Sequence, residues 1–454
     1  MARAKKEAAL TPEERLQAAL VPDWEWPYKL PGNWCWTNWG ECGEFVAGSG
    51  FKNEYQGFTN YDIPFYKVSS LKTANETGYL CDNTNTVDET VRKKLKAALI
   101  PANSLLFAKI GEAIRLNRRA INTVPCCVDN NMMAFIPIIC QLKYAFYWSK
   151  GIDLYDFTNA TTVPAIRKTD LEKISFPLAP LAEQQRIVDR IESLFAKLDE
   201  AKEKAQAVVD SFETRKAAIL HKAFTGELTA KWREEHGVGM ESWEHHQFSD
   251  LCVIVRGGSP RPAGDPRYYD GNIPFMKVAD ITRNDSPYVS KVEYSIKEEG
   301  LKKTRMVEAN TLLLTNSGAT LGVPAITTIR TTFNDGIAAF IGLDIDSLLF
   351  YYYFWTSKTA FLRSINMGAA QPNLNTKLIG EVEIDVPQTA ERVEIARVLN
   401  ALLSKEQQAK EAAEAVLDQS DLMKKSILAR AFRGELGTND PSEESAVELL
   451  KQIF

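Results

Sequence analysis

The stretch Ala223-Phe224-Thr225-Gly226-Glu227-Leu228 returns 208 residues later as Ala431-Phe432-Arg433-Gly434-Glu435-Leu436. Backwards from each phrase the offset holds without a gap to Ala182-Glu183 and Ala390-Glu391, about forty residues in two copies. Loops tolerate insertions, so an ungapped duplication of this length marks a rigid element whose length matters.

That element reads as a helix. The first copy carries Ile187, Ile191, Leu194, Leu198, Ala201, Ala205, Val208, Phe212 and Ile219, with polar Arg215 skipped. Steps of four and three form the a/d seam of a coiled coil. The second copy carries Ile395, Leu399, Leu402, Ala409, Ala413, Val416, Met423 and Ile427, interrupted by Glu406 and Ser420. At ~1.5 Å per residue each helix is a rod of roughly 60 Å. Gly226 and Gly434 stand where a C-cap glycine belongs. One such helix cannot bury its seam alone, so the two copies are expected to pair. The alternative lays each helix on its own domain and leaves the equal lengths unexplained.

The segments before the rods also repeat. Gly48-Ser49-Gly50 faces Gly257-Gly258-Ser259, and Ile63-Pro64-Phe65-Tyr66-Lys67-Val68 faces Ile273-Pro274-Phe275-Met276-Lys277-Val278. Ala102-Asn103-Ser104-Leu105 faces Ala309-Asn310-Thr311-Leu312, and Ala134-Phe135-Ile136 faces Ala339-Phe340-Ile341. These are short β-type runs bounded by Gly, Pro and Asn, with helical patterns between them, as at 348–363. The fold class is therefore mixed α/β (α+β): two similar globular domains and two long helices in an antiparallel coiled coil, related by a pseudo-two-fold. The expected divisions are an N-terminal helical segment 1–30, a globular domain 31–178, a helix 179–228, a linker 229–242, a second domain 243–386, a second helix 387–436 and a tail 437–454.

Composition is ordinary for a globular chain, 45% apolar and 25% charged over 454 residues. No run approaches about 18 apolar residues, and residues 1–16 lack an apolar signal core, so a cytoplasmic protein without a membrane span is expected. Seven cysteines without a Cys-x-x-Cys pair suit reduced thiols. His245-His246 is a weak metal hint, and no metal site is expected. Net charge is −5, which excludes a uniformly basic nucleic-acid binder and leaves any such role to local patches.

The order Ala182-Glu183-Gln184-Gln185-Arg186-Ile187-Val188, long helix, Ala-Phe-Thr-Gly-Glu-Leu, then a second round ending in Ala-Phe-Arg-Gly-Glu-Leu resembles the specificity subunit of type I restriction–modification enzymes. Thr-Pro-Glu-Glu-Arg-Leu at 11–16, Leu-Pro-Gly-Asn-Trp at 30–34 and Gly-Ala-Ala-Gln-Pro-Asn-Leu-Asn at 368–375 fit the same family. The resemblance covers nearly the whole chain. It implies that each globular part is a target recognition domain reading one half of a split DNA site, and that the paired helices separate the two. It also implies double-stranded DNA, two methyltransferase subunits and motor–nuclease subunits as partners. S-adenosylmethionine and ATP are then expected on those partners and not on this chain. The second copy departs from the pattern, reading Ala390-Glu391-Arg392-Val393 where the first reads Ala182-Glu183-Gln184-Gln185.

No catalytic constellation stands out. Gly48-Ser49-Gly50 reads as a strand-ending turn and not as a cofactor loop. There is no phosphate-binding G-x-x-x-x-G-K-[ST], and Asp199-Glu200-Ala201-Lys202 reads as the solvated face of the rod. A non-catalytic chain is expected.

Candidates for DNA contact are polar residues that can supply phosphate contacts or base-edge hydrogen bonds. Residues 31–175 hold 16 basic and 14 acidic side chains, and residues 243–384 hold 14 and 15, so local clusters must do the work. In the first domain they are Lys67, Ser69, Lys109, Arg115, Asn117, Arg118 and Arg119. In the second they are Lys277, Arg283, Asn284, Lys302, Lys303, Arg305, Thr315, Asn316, Gln371 and Asn373. Lys67 and Lys277 recur at one point of the repeat, as a phosphate contact or a scaffold salt bridge. Gln371 and Asn373 serve equally well as loop-closing residues beside Pro372. Arg92-Lys93-Lys94-Leu95-Lys96 reads either as an exposed helix or as a phosphate-binding run. Thr11-Pro12-Glu13-Glu14 is a capping box, and Asp440-Pro441-Ser442-Glu443 repeats the device before a helix at 446–453. The rival readings are an assembly scaffold with protein-binding ends and a single-chain methylase, the latter opposed by the missing catalytic motifs.

Overall fold

The computed structural model describes residues 11–75, 77–80, 82–159, 163–318, 320–365 and 374–454. The chain divides into two units, Met1–Glu203 with Val416–Phe454, and Lys204–Ala415. Each long helix, Leu181–Phe224 and Thr389–Ala431, contributes one stretch to each unit, 181–203 and 416–431 to the first and 204–224 and 389–415 to the second.

The first unit holds a five-stranded sheet in the order 43–47, 132–137, 105–108, 119–122, 79–80, and a three-stranded sheet in the order 86–87, 63–66, 127–128. The second repeats the five-stranded order as 253–256, 337–341, 311–315, 324–327, 288–289. Its other sheet runs 294–296, 269–276, 331–333, 305–307. In each unit one pair in the smaller sheet is parallel, Phe65 with Cys127 and Phe275 with Thr332. The central strands are buried along their length, as Leu105–Ala108 and Thr311–Thr315 show, so their apolar runs are continuous rather than alternating. A helix packs on each larger sheet, Leu142–Gly151 and Leu348–Ile365.

Antiparallel pairing of the long helices is visible inside each unit. In the first, Lys424 Nζ lies 2.5 Å from Asp199 Oδ1, and Glu183 meets Thr438. In the second, Arg215 Nε lies 2.7 Å from Glu406 Oε2, and Glu391 meets Thr229. Ile187, Val188 and Ile191 enter the first core with Leu428 and Ala431, and Ile395, Ala396 and Leu399 enter the second with Leu220 and Ala223. Each fully buried aliphatic side chain contributes about 1.5–3 kcal/mol. Ala205, Phe212 and Ala413 are buried, and Leu194, Leu198, Val208, Ile219, Leu402 and Ile427 are half-buried.

Four seam assignments are corrected: Ala201, Ala409, Val416 and Met423 are exposed. Val416 and Met423 are 41% and 44% exposed, while Ser420 is 2% exposed. The inward stripe runs through Ala413, Leu417, Ser420, Lys424, Leu428 and Ala431, one position along from the apolar pattern. Small Ser420 fits a close approach that larger side chains would prevent.

The duplicated phrases close their helices in the same way. Gly226 and Gly434 have φ of 78° and 73°, the left-handed conformation of a C-cap. A side chain is also excluded by space: a Cβ on Gly226 would lie 2.5 Å from Met240 Sδ, and one on Gly434 2.4 Å from Pro31 Cγ. The chain after each glycine then locks the start of the other long helix. In the first unit Glu183, with a fully buried side chain, accepts from Thr438 Oγ1 at 2.7 Å and Arg186 Nη2 at 2.7 Å. Arg186 also holds Glu443 at 2.7 Å. In the second unit Glu391 accepts from Thr229 Oγ1, Arg233 Nη1 and Trp243 Nε1 at 2.7, 2.6 and 3.1 Å.

At the N-terminal end Thr11 caps Pro12–Ala19 with a complete capping box. The expected counterpart near the C-terminus is a turn instead. Asp440 Oδ1 accepts from the Ser442 backbone and hydroxyl, and the helix that follows spans only Val447–Lys451. Glu443 cannot serve as a cap because it is committed to Arg186. Arg92 pairs with Glu89 along the exposed helix Glu89–Lys94.

Candidate nucleic-acid interface

Four strands of the first domain end at one edge, and three backbone hydrogen bonds tie their ends together. Ser49 N donates to Val128 O at 3.1 Å, Asp129 N to Tyr66 O at 2.9 Å, and Lys109 N to Asn131 O at 2.8 Å. Their counterparts in the second domain are Gly258 N to Phe333 O at 3.1 Å, Asn334 N to Met276 O at 3.0 Å, and Asn316 N to Gly336 O at 2.9 Å. The carboxyl ends of parallel strands commonly line ligand crevices. Glycine is required where the first strand crosses: a Cβ on Gly48 would lie 1.8 Å from Asp129 O, and one on Gly257 2.3 Å from Asn334 O. This is the turn expected from the sequence.

The side chains on this shared edge differ. In the first domain Lys67 Nζ donates to Gln56 Oε1 at 2.8 Å. Burial lowers the pKa of Lys109 against the opposing pull of Asp129. Burial raises the pKa of Asp129, while backbone N–H groups and the Lys67 charge oppose it. In the second domain Lys277 Nζ sits 3.1 Å from the Tyr294 ring centroid. Asn316 is fully buried, and neither atom of its side-chain amide has a hydrogen-bond partner among the described residues. Asp129 and Asn334 were missed by sequence reasoning. The polar triplets Asp129-Asn130-Asn131 and Asn334-Asp335-Gly336 lie just before the Ala-Phe-Ile repeats, and that placement was the available signal.

The basic run 115–119 separates into different roles. Arg119 is 4% exposed and donates to Asn117 Oδ1, Arg118 O and Ser149 O. Asn117, at φ 48°, donates to Lys150 O and Ile152 O. Both are corrected from DNA candidates to internal braces, because the Asn117 amide and the Arg119 Nη donors are committed to groups of the fold and Arg119 is buried. Arg115 lies 3.4 Å over the Tyr155 ring and 2.9 Å from Glu112, while Arg118 is exposed.

In the second domain Thr315 is also corrected. It is fully buried, its hydroxyl donates to Thr320 O and accepts from Val323 N. Asn284 donates to Ser286 O and Tyr288 O, closing its own turn. Arg283, Lys302, Lys303 and Arg305 are exposed, as is Ser69 in the first domain. Gln371 and Asn373 lie outside the described residues. Among the described residues no group of three or more His, Cys, Asp or Glu is placed to hold a metal, and no helix is long and apolar enough to cross a membrane.

The chain is similar to known proteins. Over 164 residues the chain is 30% identical to the type I restriction enzyme MjaIX specificity subunit of Methanocaldococcus jannaschii, covering 35% of this chain and 38% of that relative. It is 26% identical to the EcoBI specificity subunit of Escherichia coli, over 65% of this chain and 67% of the relative. The structure of the HsdS subunit from Thermoanaerobacter tengcongensis superimposes with a TM-score of 0.67 at 18% identity, over 91% of this chain and all of that one. A chain solved in work on complex assembly and conformational transition of a type I R-M system gives 0.59 at 18% identity, over 90% of this chain and all of that one. At these identities the two structures establish the fold. The family described as type I restriction modification DNA specificity domain matches residues 31–209 and 240–415, most of the chain in two copies, and the protein belongs to that family.

Proposed function

We propose that this protein is the DNA-reading subunit of a type I restriction–modification complex and carries no catalytic step itself. Each domain reads one half of a bipartite site in double-stranded DNA, and the paired helices set the unread spacer. The observation that carries this reading is the shared strand-end edge, with the same backbone bonds in both domains and different side chains upon it. Divergence on a retained scaffold suits two readers of two sequences. Exposed Arg118, Arg283, Lys302, Lys303 and Arg305 supply phosphate contacts, which fix position without choosing sequence. Two methyltransferase subunits dock on the chain, and motor–nuclease subunits complete the cytoplasmic assembly. S-adenosylmethionine and ATP are bound by those partners.

The test is selection from random duplexes by the protein assembled with its methyltransferase subunits. Enrichment of one split sequence supports the reading. Duplexes recovered without enrichment, or not retained at all, favour the rival assembly scaffold.

A further inference from the structure

One piece of the strand-end edge is built identically in the two domains and filled differently. Lys109-Ile110-Gly111 follows the strand Leu105–Ala108, and Asn316-Ser317-Gly318 follows Thr311–Thr315. The carbonyl of Lys109 accepts from Ile166 N at 2.9 Å, and that of Asn316 from Leu374 N at 2.8 Å. The glycines have φ of 81° and 78°, and a Cβ on either would meet no atom of the described residues within 4 Å. Two backbone bonds and the left-handed glycine are thus common to both turns, while the side chains differ.

We infer that these two turns are the base-reading elements of their domains, with Lys109 and Ser317 as the side chains facing DNA. The inference rests on the proposed bipartite reading and names the residues that select bases. A side-chain-free glycine beside a reading residue lets another backbone approach closely. Lys109 is half-buried and makes no ion pair among the described residues. Its ammonium carries donors only, which suits the acceptors O6 and N7 of guanine. The second domain presents the half-exposed Ser317 hydroxyl, a donor and acceptor together. Beside it the buried Asn316 side-chain amide has no partner among the described residues. Lys67 and Lys277, at the end of the neighbouring parallel strand in each domain, supply the contact the two sites share.

The experiment maps methylated sites made by the assembled complex carrying Lys109→Ala or Ser317→Ala, with melting curves taken alongside. Lys109→Ala relaxes one base pair of one half-site by about tenfold. Ser317→Ala relaxes the other half-site by about threefold, and neither changes the half read by the other domain. A selective wild type whose variants keep both half-sites, with or without a lower melting point, overturns this inference alone. A wild type with no split-site preference overturns the proposed function and this inference with it.

Discussion

Arg233 and Glu391 meet 2.6 Å apart with side chains only 9% and 0% exposed. The pair joins the chain just past the first duplicated phrase to the start of the second long helix. Removing one partner of a buried pair strands a charge and costs about 3–5 kcal/mol. Glu391→Ala should therefore lower stability by that order in urea titrations. The double variant Arg233→Met/Glu391→Leu should lose clearly less than the two singles summed. Additive losses would mean that the two residues act separately.

The equivalent carboxylate in the first unit makes a pH prediction. Burial raises the pKa of Glu183, against the bonds from Thr438 and Arg186. The folded protein then holds the proton more tightly than the unfolded chain. That contribution is full below the unfolded value of about 4.3 and is lost as pH rises through the higher folded value. The melting advantage of wild type over Glu183→Gln should shrink between pH 4 and pH 7. An advantage that grows over this range would show that the ion pair with Arg186 outweighs burial.

Gly48 and Gly50 are two residues apart and should respond oppositely to alanine. At Gly48 the new Cβ collides with Asp129 O, whereas at Gly50 it meets nothing within 4 Å. Gly48→Ala should cost several-fold in soluble yield and lower the melting point, and Gly50→Ala should do neither. Equal behaviour of the two variants would refute the close-crossing account.

The basic run 115–119 offers an internal control. Arg118→Ala should leave the melting point unchanged, weaken DNA binding by the complex, and reduce its salt dependence by about one unit of log–log slope. Arg119→Ala should instead cost about 2 kcal/mol or more of stability, because its buried partners Ser149 O and Asn117 Oδ1 lose their donor. Titrations in salt and in urea separate the two effects.

The paired long helices were legible because a heptad pattern repeated at constant offset admits few other readings. The pattern failed at Val416 and Met423, where apolar identity drew the seam to exposed positions while Ser420 took the tight place. The duplicated phrases announced helix ends. Their second purpose, delivering Thr229 and Thr438 to Glu391 and Glu183, was hidden because it depends on contacts over 160 residues apart. At the interface the sequence showed where charge collects but not which charges are free. Asn117 and Arg119 look no different from Arg118 until their backbone acceptors are in place.

The proposed function turns on the paired helices setting the spacer between the two half-sites. Inserting seven residues after Ala205 and seven more at Ala413 lengthens both helices by about 10.5 Å, the span of about three base pairs. Methylation mapping of the complex should return the same two half-sites with a spacer about three base pairs longer. An unchanged spacer, or altered bases in either half-site, would contradict the account.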